Sequence, residues 1–394
     1  MKGRPKLLMK NLITRQTNES QLKLSCIILN KELSTVKDKN DCLNKKINEL
    51  ESTISSILQR TITKEEMKEM IQEGLAPIID ILLEKKTLKQ REEIIQSEDL
   101  NSAVLSLTKT EDNRIASGGD DGNISISSYN LNEKKWKRDI YKKDAHKDGK
   151  VNSLCTLNNN RLLSGSSDHS IKVWTISDVD LTLIQELKEK HTNDVTQVIP
   201  LSKERFASCS WDSTVKIWKD RTYSCLSTLG HDECWIGSIL QLRGKEVLVS
   251  CGDNLTTGVT FWDLNKYNKQ HNIEGYGVNW SSHMIELSNG NIAISSRKDP
   301  YPIVIIDSNS YQVKKVIESK ELITGCSSLC IFDENSFIYV YEGAFLQISN
   351  EDFSILYQSQ GGKFKGYRSI ISLEGGYFAI ENEKRISIIN LYNN

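Results

Sequence analysis

Hydrophobic positions along this chain change period once, close to residue 88. Ahead of that point they recur every seventh residue. Leu22, Leu29, Val36, Leu43, Leu50 and Ile57 form one series, and Cys26, Leu33, Asn40, Ile47 and Ile54 fall four after each of its first five members. Two interleaved series of this kind over about five heptads predict an α-helical coiled coil in residues 21–60. With the first series at d and the second at a, Leu at d and β-branched Ile at a favour two parallel strands. Asn40 would pair with its twin across the seam and fix the register, and the pairs Glu32–Lys37 and Lys46–Glu51 are complementary in charge. The expected contact residues of a homodimer are Leu29, Leu33, Val36, Asn40, Leu43, Ile47, Leu50 and Ile54. The other reading is a helix that folds back on its own chain.

After Arg60 the seam is interrupted. Thr63-Lys-Glu-Glu66 has capping-box spacing, and Gly74 and Pro77 punctuate the pattern before a short helix over Ile78–Lys86. Residues 61–87 are therefore expected to be short helices and linker. From residue 88 the period falls to two. The strongest example is Ser208-Cys-Ser-Trp-Asp212-Ser-Thr-Val-Lys-Ile-Trp218, where β-favouring runs flank a polar turn and predict a hairpin. Ser164, Asp168 and Trp174 repeat the pattern upstream. Ser250, Asp253 and Trp262 repeat it downstream with three extra turn residues. Trp174, Trp218 and Trp262 are 44 residues apart. A period of roughly 40 to 50 residues implies a stacked or radial repeat rather than one ordinary domain.

These residues resemble the WD-repeat family of β-propellers, whose repeats also carry a His ahead of the first strand. His146, His191 and His231 stand there. The resemblance implies one hydrogen-bond relay per blade: His146, Ser164, Asp168 and Trp174; His191, Ser208, Asp212 and Trp218; His231, Ser250, Asp253 and Trp262. Such a relay gives each buried polar group a partner and each indole N–H an acceptor. The implied fold is all-β, a seven-bladed propeller in residues 88–394 preceded by the coiled coil. Blade one keeps Ser117 and Asp121 but has Ser127 in the Trp place, and blade five keeps Ser295 and Asp299 but has Ile306 there. Blades six (322–350) and seven (366–391) show paired alternating strands alone, which leaves six blades with an irregular closure as the other count.

Register at the two ends favours seven. Residues 385–392 match the third strand of a blade, so the last blade lacks its outermost strand. Leu88–Ile95 lies at the offset where other blades place that strand, and its supply from the N-terminal side would close the ring and protect its edges. The competing reading is a helix, since Leu, Lys, Gln, Arg and Glu all favour one.

The 394 residues are 38% apolar with a net charge of −1, which argues for no nucleic-acid or membrane partner at the level of the whole chain. Residues 1–60 carry 12 basic and 6 acidic side chains. Their first 20 read as a basic disordered arm, in which Lys2-Gly-Arg-Pro-Lys6 has a short likeness to an AT-hook core. Nine cysteines without CxxC pairs, several in strand positions, fit a reducing compartment. The expected location is the cytoplasm, with the nucleus open to it. Cys326 and Cys330 have no matching His pair, so no metal site is expected. His169, His271 and His283 are isolated, and phosphate loops, nucleophile elbows and HExxH are lacking. No catalytic residues, cofactor or small-molecule substrate are expected.

A propeller of this kind is read as a non-enzymatic scaffold or adaptor that binds other proteins on its narrow face. The candidate anchors are Trp211 in the turn of blade three, Trp235 and Trp280 ahead of blades four and five, and Tyr367 ahead of blade seven. The alternative is a substrate receptor of a cullin-type ubiquitin ligase. It rests on Trp218-Lys-Asp-Arg221, which resembles a cullin-docking box except that Lys219 replaces the expected Asp.

Overall fold

A computed structural model of the chain describes residues 93–96 and 100–391, apart from residues 132, 134, 188–189, 232–233, 254–257, 276–282, 296–302, 318–327, 342–343 and 360–368. The expected arm, coiled coil and linker lie outside the described residues.

Among the described residues the strands form seven four-stranded antiparallel sheets. The first strands are Val104–Lys109, Val151–Leu157, Val195–Leu201, Ile236–Gln241, Met284–Glu286, Ser328–Ile331 and Ile370–Ser372. Each packs against the next, and the seventh returns to the first, so the ring closes with seven blades. The six-bladed count is excluded.

Burial explains why alternation is clear in some strands and absent in others. Second strands are covered on both sides by neighbouring blades: Arg205–Ser210 and Val247–Gly252 are buried at every residue. Their pattern is one of size rather than polarity, with small Ala207, Ser208 and Cys209 where blades approach closely. Burial pushes the Cys209 thiol up to about 12, so it behaves as a small core residue. Outer strands such as Leu181–Glu186 leave every residue but the first partly or fully exposed. The core is correspondingly divided into layers between blades. Trp174 joins Ala116, Ile124 and Ile126 of blade one, Trp218 joins Leu163 and Val173 of blade two, and Trp262 joins Ala207 and Ile217 of blade three.

The ring is shut from the N-terminal side. Glu93–Gln96 pairs antiparallel with Arg385–Asn390, Ile94 opposite Ile389 and Ile95 opposite Ile388. The closing strand expected at 88–95 is thus found at 93–96, centred on the β-branched Ile94–Ile95 pair, and residues 88–92 lie outside the described residues. In blades one to six the outer strand also carries a one-residue bulge at the same place: Asp139, Ile184, Leu226, Gln270, Lys314 and Leu356. A bulge twists an edge away from further pairing, which suits strands that end a sheet in solvent.

Two sets of hydrogen bonds tie blade to blade. Around the channel, Ser106, Asn152 and Thr196 donate to the carbonyls of Val151, Val195 and Ile236, the first residues of the next inner strands, at 3.1, 3.1 and 2.7 Å. On the lower face, Arg161 makes a two-pronged bond to Asp220 at 2.6 and 2.9 Å and reaches Tyr223 Oη at 3.2 Å. Arg205 repeats this one blade on, reaching Leu264 O at 2.8 Å and Tyr267 Oη at 3.4 Å. Tyr223, Tyr267 and Tyr311 all sit in the left-handed region, at φ 55°, 54° and 55°. A tyrosine pays conformational strain there, and the strain recurs at equivalent turns of three blades.

Candidate interaction face

The relay residues converge in blades two and three. In blade two, Trp174 Nε1–H donates to Ser164 Oγ at 2.8 Å, Ser164 Oγ lies 2.6 Å from His146 Nε2, and His146 Nδ1 lies 2.8 Å from Asp168 Oδ2. Because the indole is a pure donor and the carboxylate a pure acceptor, the protons run one way: Trp to Ser to His Nε2, then His Nδ1–H to Asp. Ser170 closes the far end with a 2.6 Å bond to Asp168. Blade three repeats the set, with Trp218 to Ser208 at 2.9 Å, Ser208 to His191 at 2.8 Å and His191 to Asp212 at 2.7 Å. In blade four the structure joins His231, Ser250 and Trp262, at 2.6 and 2.7 Å, while Asp253 Oδ1 accepts the Trp235 backbone N–H at 2.9 Å.

Ser, His and Asp here have the order of a hydrolytic triad but not its accessibility. Ser164 and Ser208 have no solvent exposure, and each hydroxyl already accepts an indole N–H. No substrate carbonyl reaches them, so the set works as a clamp between loop and strand.

Burial holds His146 below 6.5 against the pull of Asp168, so the imidazole is neutral. For Asp168, burial raises the carboxyl, but His146 and Ser170 outweigh it and hold it well below the usual range; His191 and Thr214 do the same for Asp212. On unfolding, His146 returns to about 6.5 and takes up a proton first as pH falls. Its contribution is therefore full above 6.5 and lost below it, and that of the two aspartates is full above about 3.8 and lost below. The melting temperature should fall between about pH 7 and about pH 5, and the fall should be shallower in His146→Gln. An identical slope in the two proteins would remove His146 as its source.

The relay positions one face of the ring, the one expected to be narrow and called here the upper face. It carries the turns between second and third strands and the segments that lead into the first strands. Equivalent hydrogen bonds frame it, and in blades one to four the N–H groups of Asp120, Ser167, Trp211 and Asp253 donate to the carbonyls of Ala103, Lys150, Asp194 and Trp235, at 2.8, 3.0, 3.0 and 3.0 Å. These bonds set side chains of neighbouring blades beside one another. Lys150 pairs with Asp120 at 2.6 Å, and Trp235 stacks on Trp211 with ring centroids 5.3 Å apart and planes at 24°. Trp211 is half-buried, and Trp235 is 46% exposed. Trp280 and Tyr367 lie outside the described residues.

The other singled-out residues are placed as follows. His271 stacks on Tyr311 at 5.5 Å, His283 Nδ1 bonds Ser328 Oγ at 3.0 Å, and His169 lies 3.9 Å from Asp194. In the suspected cullin box, Asp220 is held by Arg161 and Arg221 by Glu204 at 2.6 Å. The Trp211–Trp235 stack was not foreseen as a pair, nor were the lower-face ties. Their signal was present in the 44-residue spacing of Arg161 and Arg205 and of Tyr223, Tyr267 and Tyr311.

Comparison with known proteins agrees with this geometry. The model of the WD domain, G-beta repeat, matches residues 138–175 and 182–219. The crystal structure of the WD40 beta propeller domain of Doa1 superposes with a TM-score of 0.63 at 16% identity, covering 77% of this chain and 97% of that one. Nuclear distribution protein PAC1 of Arthroderma benhamiae is 30% identical over 123 residues, 29% of this chain and 26% of its own. Its namesake from Komagataella phaffii is 37% identical over 102 residues, 24% of this chain and 20% of its own. The matched region thus spans about a quarter of the length of these curated relatives. The chain carries WD40 repeats on a seven-bladed propeller.

Proposed function

We propose that this WD40-repeat propeller is a non-catalytic platform that binds segments of other proteins on its upper face, with Trp211 and Trp235 as central anchors. The observation that carries the reading is the stacked indole pair. A ring held by a neighbour and open on its other side offers large contact area at low entropic cost, which is what binding anchors have in common. Trp280 and Tyr367, ahead of blades five and seven in the sequence, are the further anchors of this reading. The relay beneath fixes the loops that carry the pair, so the face is preorganised. Residues 21–60 dimerise the chain, and two upper faces then engage paired or arrayed partners with added avidity. The setting is cytoplasmic, in keeping with free buried thiols and with relatives named for nuclear distribution.

Proximity labelling from the full chain and from Trp235→Ala tests the recognition. Partners of the upper face should drop out of the variant's profile, and identical profiles contradict the reading. For assembly, sedimentation of the full chain should give a dimer, and Asn40→Ile should loosen the preference for two strands. A monomer at micromolar concentration contradicts it.

A further inference from the structure

The framing bonds of the upper face make Ala103, Lys150, Asp194 and Trp235 equivalent positions in blades one to four. Two of the side chains there are satisfied by a neighbouring blade, Lys150 by Asp120 and Trp235 by Trp211. Asp194 is not. Its carboxylate is 23% exposed, its ionic neighbour is His169 Nε2 at 3.9 Å, and among the described residues it accepts no hydrogen bond. Lys150 is already engaged by Asp120. A carboxylate taken most of the way out of water has lost hydration that the chain returns only in part. Burial accordingly raises the Asp194 carboxyl, with His169 and Lys150 pulling it only partly back.

Trp211 joins this carboxylate to the aromatic shelf. Its backbone N–H donates to the Asp194 carbonyl, and its ring lies on Trp235. An acceptor-only group and the open face of an indole attract the same kind of visitor, since the ring face is negative as well. We propose that the upper face over blades three and four recognises a protein segment in which a Lys or Arg side chain stands beside an apolar or aromatic one. The cation seats on Asp194 and the apolar neighbour lies against Trp235. Arg suits the seat best, because its planar guanidinium can meet the carboxylate with two parallel hydrogen bonds. This rests on the upper face being the partner-binding face and adds the chemistry of what it binds. An acidic or phosphorylated segment is the opposite outcome.

The test uses the full chain and two fluorescent peptide libraries of equal length. One has Arg fixed at the centre and the other Glu, with apolar and aromatic residues other than Trp randomised around it. Anisotropy should show the Arg library binding about tenfold more tightly. Asp194→Asn should abolish that preference at unchanged melting temperature, because the carboxylate accepts no bond from the chain, and Asp194→Lys should turn it toward Glu. Equal affinity for the two libraries, binding of neither, or an Arg preference that survives both substitutions overturns the proposal. If the libraries bind equally and Trp235→Ala releases both, recognition by the upper face stands and the cation seat alone falls.

Discussion

A chain that begins at Asn101 should aggregate, whereas one that begins at Lys86 should stay soluble and melt as the full chain does. The difference between them includes the closing strand. Without Glu93–Gln96, the strand Arg385–Asn390 loses its outer partner and becomes an open edge. That strand is rich in isoleucine, with Ile386, Ile388 and Ile389 fully buried. Even in the closed ring this edge has no bulge like those of the other six blades, since Glu93–Gln96 pairs with it in continuous register. An unpaired β-branched edge invites pairing with a second copy. The ring also loses the link between its two ends, at about 0.5–1.5 kcal/mol for each ladder hydrogen bond. Light scattering and thermal melting of the two shortened chains decide the matter. Identical melting and two monomers would mean that residues 93–96 do not hold the ring shut.

Trp218→Ala should be the most damaging single substitution in the relay. The side chain has no solvent exposure and stacks on Phe206 with centroids 6.0 Å apart and planes at 11°. Its removal leaves a cavity in the layer between blades two and three, at a cost of about 3–5 kcal/mol. It also takes from Ser208 the donor that directs the relay toward His191 and Asp212. Asp212→Ala removes the last acceptor and should cost about 1–3 kcal/mol. Because the groups act as one chain, His191→Ala should cost less in the Asp212→Ala background than alone, and urea denaturation of the four proteins measures the coupling. Additive costs would show that the bonds do not act as a unit.

How much of this was legible in the sequence varied along the ring, for physical reasons. Blades two to four were readable because a buried indole N–H and a buried imidazole must have partners, and the partners come at fixed spacing. Blade five was harder. Ile306 stands where Trp would, needs no hydrogen bond, and leaves no polar mark, although it is as fully buried as Trp218. Blades six and seven fold on the same terms, through strands such as Ser336–Tyr341 and Arg385–Asn390 whose apolar runs suit a sheet covered on both sides. The closing strand was legible through the count of strands at the C-terminus, but its start was not, since Leu88–Glu92 favour helix.

The upper face divides in the same way. Trp211 and Trp235 stood out as aromatics in loops, yet their stacking depends on the ring bringing a turn of one blade beside the lead-in segment of the next. Asp194 went unnoticed because nothing about an aspartate in a loop is unusual until its equivalence to Trp235 is seen. The lower-face ties were hidden for another reason. Arg161 and Asp220 are 59 residues apart, and their pairing joins two repeats rather than marking one.

The most direct test of recognition by the upper face pairs two measurements on the full chain: melting temperature, and affinity for a partner identified by proximity labelling. Trp235 is 46% exposed and makes one ring stack, so Trp235→Ala should leave melting nearly unchanged. Loss of a central anchor typically costs about 2 kcal/mol or more, so affinity should fall roughly thirtyfold. If melting instead falls by several degrees and affinity falls only in step with it, the indole pair belongs to the packing of blades three and four and the partner binds elsewhere.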